Sequence, residues 1–591
     1  MRREYCLDIA DNVHKLGDLN LFLQNTETIS YPPVDRTSPG RPFFTGIIHR
    51  EVTVGDRRRR FLFYLPKRFP ISGAGLFLFP DDGVDTEQFL TSGGWKTIAE
   101  ERNVALIILE AGAGGWSRQE IQKEVDYGEA VFKDAISRVN FSLNESTYYI
   151  LGFGAGAYPA VTCGLLNSTL YSCIVADGGY QLDDRLLEQL SSIRSDRDPS
   201  KSKLEVAMPA WLLSHTSDEG DAVLNCLKAA CCVEDRGLSN PYASVFQQNL
   251  KTYQNSRDGL PMAEVWFTGK SLRAEIPEES IHRQMVSFAL RFKRWPGIGN
   301  GEFRPARTYQ DMGLKRFEAV LGGRKREWYV YEPSTYRNNS QNKLPVVLAI
   351  HGYSCTGELF AENSEWHVTA EKRGFFVVYM SAFPSNLHTG NRTVPLPTWN
   401  AVAMTAETDD IGYVAAVMRD VKSRYPVDNE RVYVSGHSNG SLFTQKLMQE
   451  TPLEYAAFAP QGAQYHLNLS GGSENRSGDR IPRDGVLRPV WLMMGHEDIG
   501  DRDSLESGSA NRKFISMMCD VNSLDESKGQ YLENGKYHTY TYLNQDHIPL
   551  LRFTGVQDLP HAYTPEMAEM FWNQFFCHFR RKADGSIIYT A

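Results

Sequence analysis

The chain has 591 residues, 41% of them hydrophobic, 23% charged and 12% aromatic. At roughly 100–200 residues per domain it is too long for one ordinary core and asks for two large domains. A formal charge of -9, with no basic run beyond Arg57–Arg60, argues against a nucleic-acid partner; no apolar stretch of about 18 residues predicts a membrane span.

Residues 1–48 read as a leader or arm. They are charged and carry no apolar signal-peptide core, which favours a cytoplasmic protein, or a secreted one if a leader has been removed. From there the chain shows one layout twice, over 49–290 and 316–578. Each copy opens on a basic turn and an aromatic strand, RRRRFLFYLP (57–66) and RKREWYVYEP (324–333). Each continues with an apolar run of buried-strand type, GAGLFLFP (73–80) and LPVVLAIHG (344–352).

A helix and a second apolar strand follow, GGWKTIAEERNVALIILEAG (93–112) against SEWHVTAEKRGFFVVYMSA (364–382). Next comes an acidic helix entry in which Asp126 corresponds to Asp410, at an offset of 284. STYYILGFGAG (146–156) then aligns with ERVYVSGHSNG (430–440), and PAWLLSHTSD (209–218) with PVWLMMGHED (489–498). Apolar strands alternating with helices predict an α/β class: two tandem domains with mostly parallel sheets flanked by helices. Residues 291–315, punctuated by glycine and proline, read as a linker, with the second domain running over 316–591.

The nine cysteines follow no metal-ligand spacing, so neither metal nor cofactor is expected. Buried thiols in a reducing compartment are the expectation; Cys163 and Cys173 are the pair that could form a disulfide.

The chemistry-bearing motif is Gly436-His437-Ser438-Asn439-Gly440, a G-x-S-x-G between a strand and a helix. Such a serine sits on a strained turn that lifts its hydroxyl above the sheet, and the helix N-terminus favours developing negative charge. A serine alcohol needs a base, and the base an orienting carboxylate. The acid is expected after the VWLMM strand, at Asp498, with Glu497 and Asp501 as competitors. His561, in the loop before the last helix, is the expected base, with His547 as its rival. Asn439 and either Tyr353 or Ser354 are expected to supply oxyanion-hole N–H groups. His437, Trp399 and His496 are expected to line the substrate cleft, and Cys355 to pack. Residues 385–404 are expected to cover the pocket and 464–488 to form an outer loop.

In the first copy Gly154 stands in place of Ser438 and Arg273 in place of His561, and only Asp218 survives, opposite Asp498. That copy is therefore expected to be a non-catalytic scaffold or substrate-holding domain.

HGYSCTG (351–357), SEWHVTAEKRGFFVVYMSA (364–382), DDIGYVAAVMRDVKSRYPVDNERVYVSGHSNGS (409–441) and YAAFAPQGA (455–463) resemble the α/β-hydrolase superfamily. The similarity is to its serine-esterase branch of poly(3-hydroxybutyrate) depolymerases and feruloyl or acetylxylan esterases. The elbow departs from the familiar pattern, reading Ser438-Asn439-Gly440-Ser441 where Gly-Gly is common. The resemblance implies a carboxylic-ester hydrolase working through an acyl-enzyme on a polyester, an acylated carbohydrate or a small acyl ester. A serine peptidase of prolyl-oligopeptidase-like type and a non-enzymatic binding or scaffold protein are the alternatives. Oligomeric state is not legible.

Overall fold

A computed structural model of the chain describes residues 46–590, apart from 68, 70–72, 138–142, 196–198, 215–220, 236–249, 255–263, 270–275, 296–301, 354, 390–391, 402–407, 466–480 and 499–501. Ser354, Asp501, Asp218 and Arg273, and most of the expected outer loop, lie outside the described residues. The chain divides into two compact units whose boundary falls between Ala306 and Arg307.

The first unit is built on β1 (Gly46–Val54), β2 (Arg57–Leu65), β3 (Gly73–Phe79), β4 (Ala105–Leu109), β5 (Leu143–Phe153), β6 (Cys173–Asp177), β7 (Ala210–Leu213), β8 (Glu234–Asp235), β9 (Leu250–Gln254) and β10 (Glu264–Thr268). They form one sheet in the order β1-β2-β4-β3-β5-β6-β7-β10-β9-β8. The stretch expected as a linker contains an antiparallel hairpin of β11 (Phe292–Trp295) and β12 (Glu302–Pro305).

The second unit is built on β13 (Leu314–Leu321), β14 (Arg324–Tyr331), β15 (Leu344–Ile350), β16 (Phe376–Met380), β17 (Pro384–Thr389), β18 (Arg392–Pro397), β19 (Val427–His437), β20 (Ala457–Gln461), β21 (Val490–Glu497), β22 (Gln530–Asn534), β23 (Tyr537–Leu543) and β24 (Pro549–Pro560). Its main sheet runs β13-β14-β16-β15-β19-β20-β21-β24-β23-β22, the same order as the first unit, strand for strand. Strands β17 and β18 pair separately as a hairpin inside the segment expected to cover the pocket.

The core follows from the pattern. In both units the central strands are parallel and take helices on both faces, so β4, β6, β16 and β20 are buried at every residue. Strands β2 and β14, each second from a sheet edge, end in fully buried aromatic runs after more accessible basic starts, as their sequences require. Arg326 at the start of β14 pairs with Asp410 at 2.8 Å in the interior. In the first unit the corresponding Arg59 pairs with Glu124 at 3.2 Å. Asp126, matched to Asp410 by offset alone, instead accepts a bond from Gln122 on an exposed helix face. Two residues, about 200° around the helix, separate the two choices, and the inward-facing position decides. Cys163 and Cys173 are both buried free thiols, so the possible disulfide between them is not formed. Among the described residues no helix is long and apolar enough to cross a membrane.

Candidate active site

Strand β19 delivers Ser438 at the top of the sheet. It runs parallel to β15 on one side and β20 on the other, pairing Gly436 with Ile350 and His437 with Gln461. Ser438 then turns sharply, with φ 56° and ψ -118°, into the helix Asn439–Glu450. A side-chain-bearing residue in such a conformation costs on the order of 1–3 kcal/mol and persists only where its surroundings fix it. Here the Ser438 N–H donates to the Gln461 carbonyl at 2.8 Å, and the Ser438 carbonyl accepts from Leu442 N–H at 3.1 Å. Glycine at 352 gives the turn room: a Cβ there would press on Ser438 Cβ and the His437 ring at 3.2 Å.

The expected acid and base arrive from the next strands. Strand β21 pairs in parallel with β24, and the register slips between Gly495 and Glu497, where Glu497 comes opposite Pro560. That irregularity leaves Glu497 exposed and turns Asp498 inward, to 1% exposure. Because β24 ends at Pro560, the next residue, His561, stands beside the acid. His561 Nδ1 lies 2.5 Å from Asp498 Oδ1, and His561 Nε2 lies 2.7 Å from Ser438 Oγ. The three expected residues thus form one hydrogen-bonded chain. His547 is placed elsewhere, exposed in the turn between β23 and β24.

The cleft assignments fare unevenly. Trp399 is fully buried, so it is a pillar of the core and not the expected platform for substrate. Its indole stacks on Phe443 with centroids 4.9 Å apart, and its Nε1 donates to the His351 carbonyl at 3.0 Å. Trp399→Ala is therefore expected to lower the stability of the second unit by about 3–5 kcal/mol, read as a lower urea midpoint. His496 is also corrected: its side chain is 59% exposed and pairs with Asp503 at 3.2 Å, turned from the triad. His437 packs on His561, with ring centroids 4.7 Å apart. Cys355 is half-buried with its thiol toward the Thr356 carbonyl, as a packing residue should be.

Asn439 is the first residue of its helix, where backbone N–H groups have no intrahelical acceptor. Its side chain is engaged elsewhere, with Oδ1 accepting from Trp399 N–H at 2.7 Å. Tyr353 follows Gly352 in the turn against Ser438.

One residue escaped the sequence reading. Gln461, fully buried at the end of β20, bonds through its side-chain oxygen to His437 Nδ1 and donates from Nε2 to the Ala562 carbonyl at 3.0 Å. Its own carbonyl holds Ser438 N–H. Gln461 therefore ties the serine turn to the histidine loop. Only the register of β20 against β19 reveals it, and no local motif does.

Three imidazoles are held neutral. Burial lowers His351 to about 4, burial and Arg307 lower His367 to about 4, and burial followed by the adjacent His561 lowers His437 to about 3. An unfolded histidine titrates near 6.5. Above that pH both states are neutral and the stabilisation is complete. As pH falls the unfolded chain binds protons that the folded chain refuses, so stability is lost towards the folded values. The urea midpoint of the second unit is expected to fall from pH 6.5 to 5, with net proton uptake on unfolding measurable by calorimetry in buffers of different ionisation enthalpy.

No family model matches the chain. It is 31% identical over 170 residues to the bifunctional acetylxylan esterase/xylanase XynS20E of Neocallimastix patriciarum, covering 28% of this chain and 22% of that protein. It is 29% identical over 133 residues to acetylxylan esterase A of Aspergillus ficuum, covering 22% of this chain and 39% of that one. The chain resembles the α/β-hydrolase serine esterases. A feruloyl esterase B of Talaromyces stipitatus is 25% identical over 145 residues, covering 24% of this chain and 38% of that esterase. This esterase-like chain thus spans between 22% and 39% of the length of these curated relatives. Among solved structures, the acetyl xylan esterase from Aspergillus awamori aligns over 44% of this chain and 98% of its own, at 16% identity and a TM-score of 0.32.

Proposed function

We propose that the second unit is a carboxylic-ester hydrolase acting on acylated carbohydrates, with Ser438 as nucleophile, His561 as base and Asp498 as orienting acid. The supporting observation is the unbroken chain from Ser438 Oγ through His561 to Asp498, set on a positive-φ turn. In this reading Ser438 Oγ attacks the ester carbonyl while His561 Nε2 takes its proton. The same proton passes to the leaving alcohol as the tetrahedral adduct collapses to an acyl-enzyme. Water then repeats the sequence, and the acid product and free Ser438 are released.

Asp498 fixes the imidazole tautomer with Nε2 facing the serine and steadies the imidazolium. The N–H of Asn439, with that of Tyr353, holds the oxyanion; removing one such donor typically costs about 3–4 kcal/mol in barrier. The carbohydrate-ester class is supported by the relatives, which are named for acetylxylan and feruloyl esters.

The test is a panel of acetylated xylan, a feruloylated arabinoside, p-nitrophenyl acetate and aminoacyl-naphthylamides. Turnover of an acylated sugar ahead of the amides supports the proposal. Dominant amide cleavage would move the protein to the peptidase reading, and no turnover of any substrate would leave a binding or scaffold protein.

A further inference from the structure

The first unit carries, at the place corresponding to Ser438, an anion site that is already filled. The correspondence is set by register. Phe79 pairs with Gly152 as Ile350 pairs with Gly436, which puts Asp81 in the place of Gly352, Asp82 in that of Tyr353, Gly154 in that of Ser438 and Ala155 in that of Asn439. The bend is kept, with φ 53° at Gly154 against 56° at Ser438. The close crossing of the helix over the first central strand is kept too: a Cβ on Gly156 would collide with the Phe79 and Pro80 carbonyls, as one on Gly440 would with those of Ile350 and His351.

What differs is the space above the bend. Asp81 Oδ1 accepts from Ala155 N–H at 2.7 Å and from Asp82 N–H at 2.9 Å. These two amides correspond to the donors that would hold the oxyanion in the second unit. The Asp82 carboxylate is drawn away, with its Oδ1 accepting from Trp116 N–H at 2.7 Å. A Cβ built on Gly154 would fall inside the Asp81 carboxyl group, so the space that Ser438 uses is occupied here by a charge.

We infer that the first unit retains a two-donor oxyanion site, of the kind proposed for the second, and that Asp81 is its permanent internal ligand. Two backbone N–H groups converging on one carboxylate oxygen form a charge-assisted pair that prefers an anion. An ester at this bend would have to displace that anion. The first unit is thus closed to acyl chemistry by an added carboxylate as well as by its missing serine, and restoring the serine at 154 does not reopen it. The ligand class of the emptied site is a small carboxylate. The inference takes its comparison from the proposed role of Asn439 and Tyr353, but its test does not use hydrolysis.

The test is chemical rescue in the full chain. Asp81→Gly installs the residue that the second unit carries at that position, and is expected to lower a calorimetric unfolding midpoint by about 3–6 °C. Sodium formate at about 100 mM should restore at least half of that loss, sodium chloride at equal ionic strength should not, and the natural protein should respond alike to both salts. An Asp81→Gly protein that melts with the natural one, or that gains equally from formate and chloride, overturns the inference.

Gly154→Ala gives a second reading should Asp81→Gly not fold. Its Cβ meets the cost of φ 53° and also enters the carboxylate's space, so the midpoint should fall by more than that backbone cost alone, and formate should not restore it, the site being filled by carbon. A Gly154→Ala protein within about 2 °C of the natural one would mean that no carboxylate stands over residue 154. Loss of esterase activity in the ester panel would leave both outcomes unchanged, so the two proposals fail separately.

Discussion

Ser438→Ala is expected to reduce kcat on p-nitrophenyl acetate by about 10⁴-fold or more, with the unfolding midpoint near that of the natural protein. The size follows from the chemistry: alanine leaves the oxyanion donors and the imidazole in place but no group to carry the acyl chain. The residual rate is then that of water held beside His561. Stability should change little, because alanine and serine both carry the Cβ that makes φ 56° costly. Labelling by a fluorophosphonate probe reads the same atom directly. The natural protein should label once per chain and the Ser438→Ala protein not at all. Equal labelling of both would place the nucleophile elsewhere.

The second large effect is expected at the acid. Asp498→Asn keeps the shape of the side chain but offers His561 a neutral partner, so the imidazole can settle with Nδ1 accepting and Nε2 protonated towards the serine. A loss of roughly 10⁴ in kcat at neutral pH accompanies that tautomer change in well-understood triads. Glu497→Gln, one residue away, should leave kcat within about twofold, since its carboxylate faces solvent. Steady-state kinetics on the two variants decide between adjacent acids that the sequence alone left open. A large loss from Glu497→Gln with none from Asp498→Asn would reverse the assignment.

Why that choice was open shows what a sequence carries. The alternation of apolar strands and helices, and the repeated layout, were legible because burial on both faces of a parallel strand demands an unbroken apolar run. The serine turn was legible because few arrangements other than strand, glycine, serine, glycine, helix allow it. The acid was not, because Glu497, Asp498 and Asp501 differ only in which way each points, and a slip in the pairing of β21 with β24 settles that for the first two. Trp399 misled for a related reason: a tryptophan in a polar, proline-rich stretch looks like a surface ring, yet it is anchored inward by His351 and Phe443. Gln461 and Asp81 were illegible altogether. Each acts through partners distant in sequence, 101 residues for Gln461 and Ala562, 74 for Asp81 and Ala155.

Ser438 and its proposed proton acceptor are 123 residues apart, and the acceptor directly follows the end of β24. A growing polypeptide therefore exposes Ser438 long before it has made His561. Until β24 docks beside β21, the nascent chain holds a bare alcohol of ordinary reactivity. Under the proposed function, catalytic competence would then appear late and all at once, as a by-product of finishing the sheet, and a copy ended before His561 would be inert towards esters.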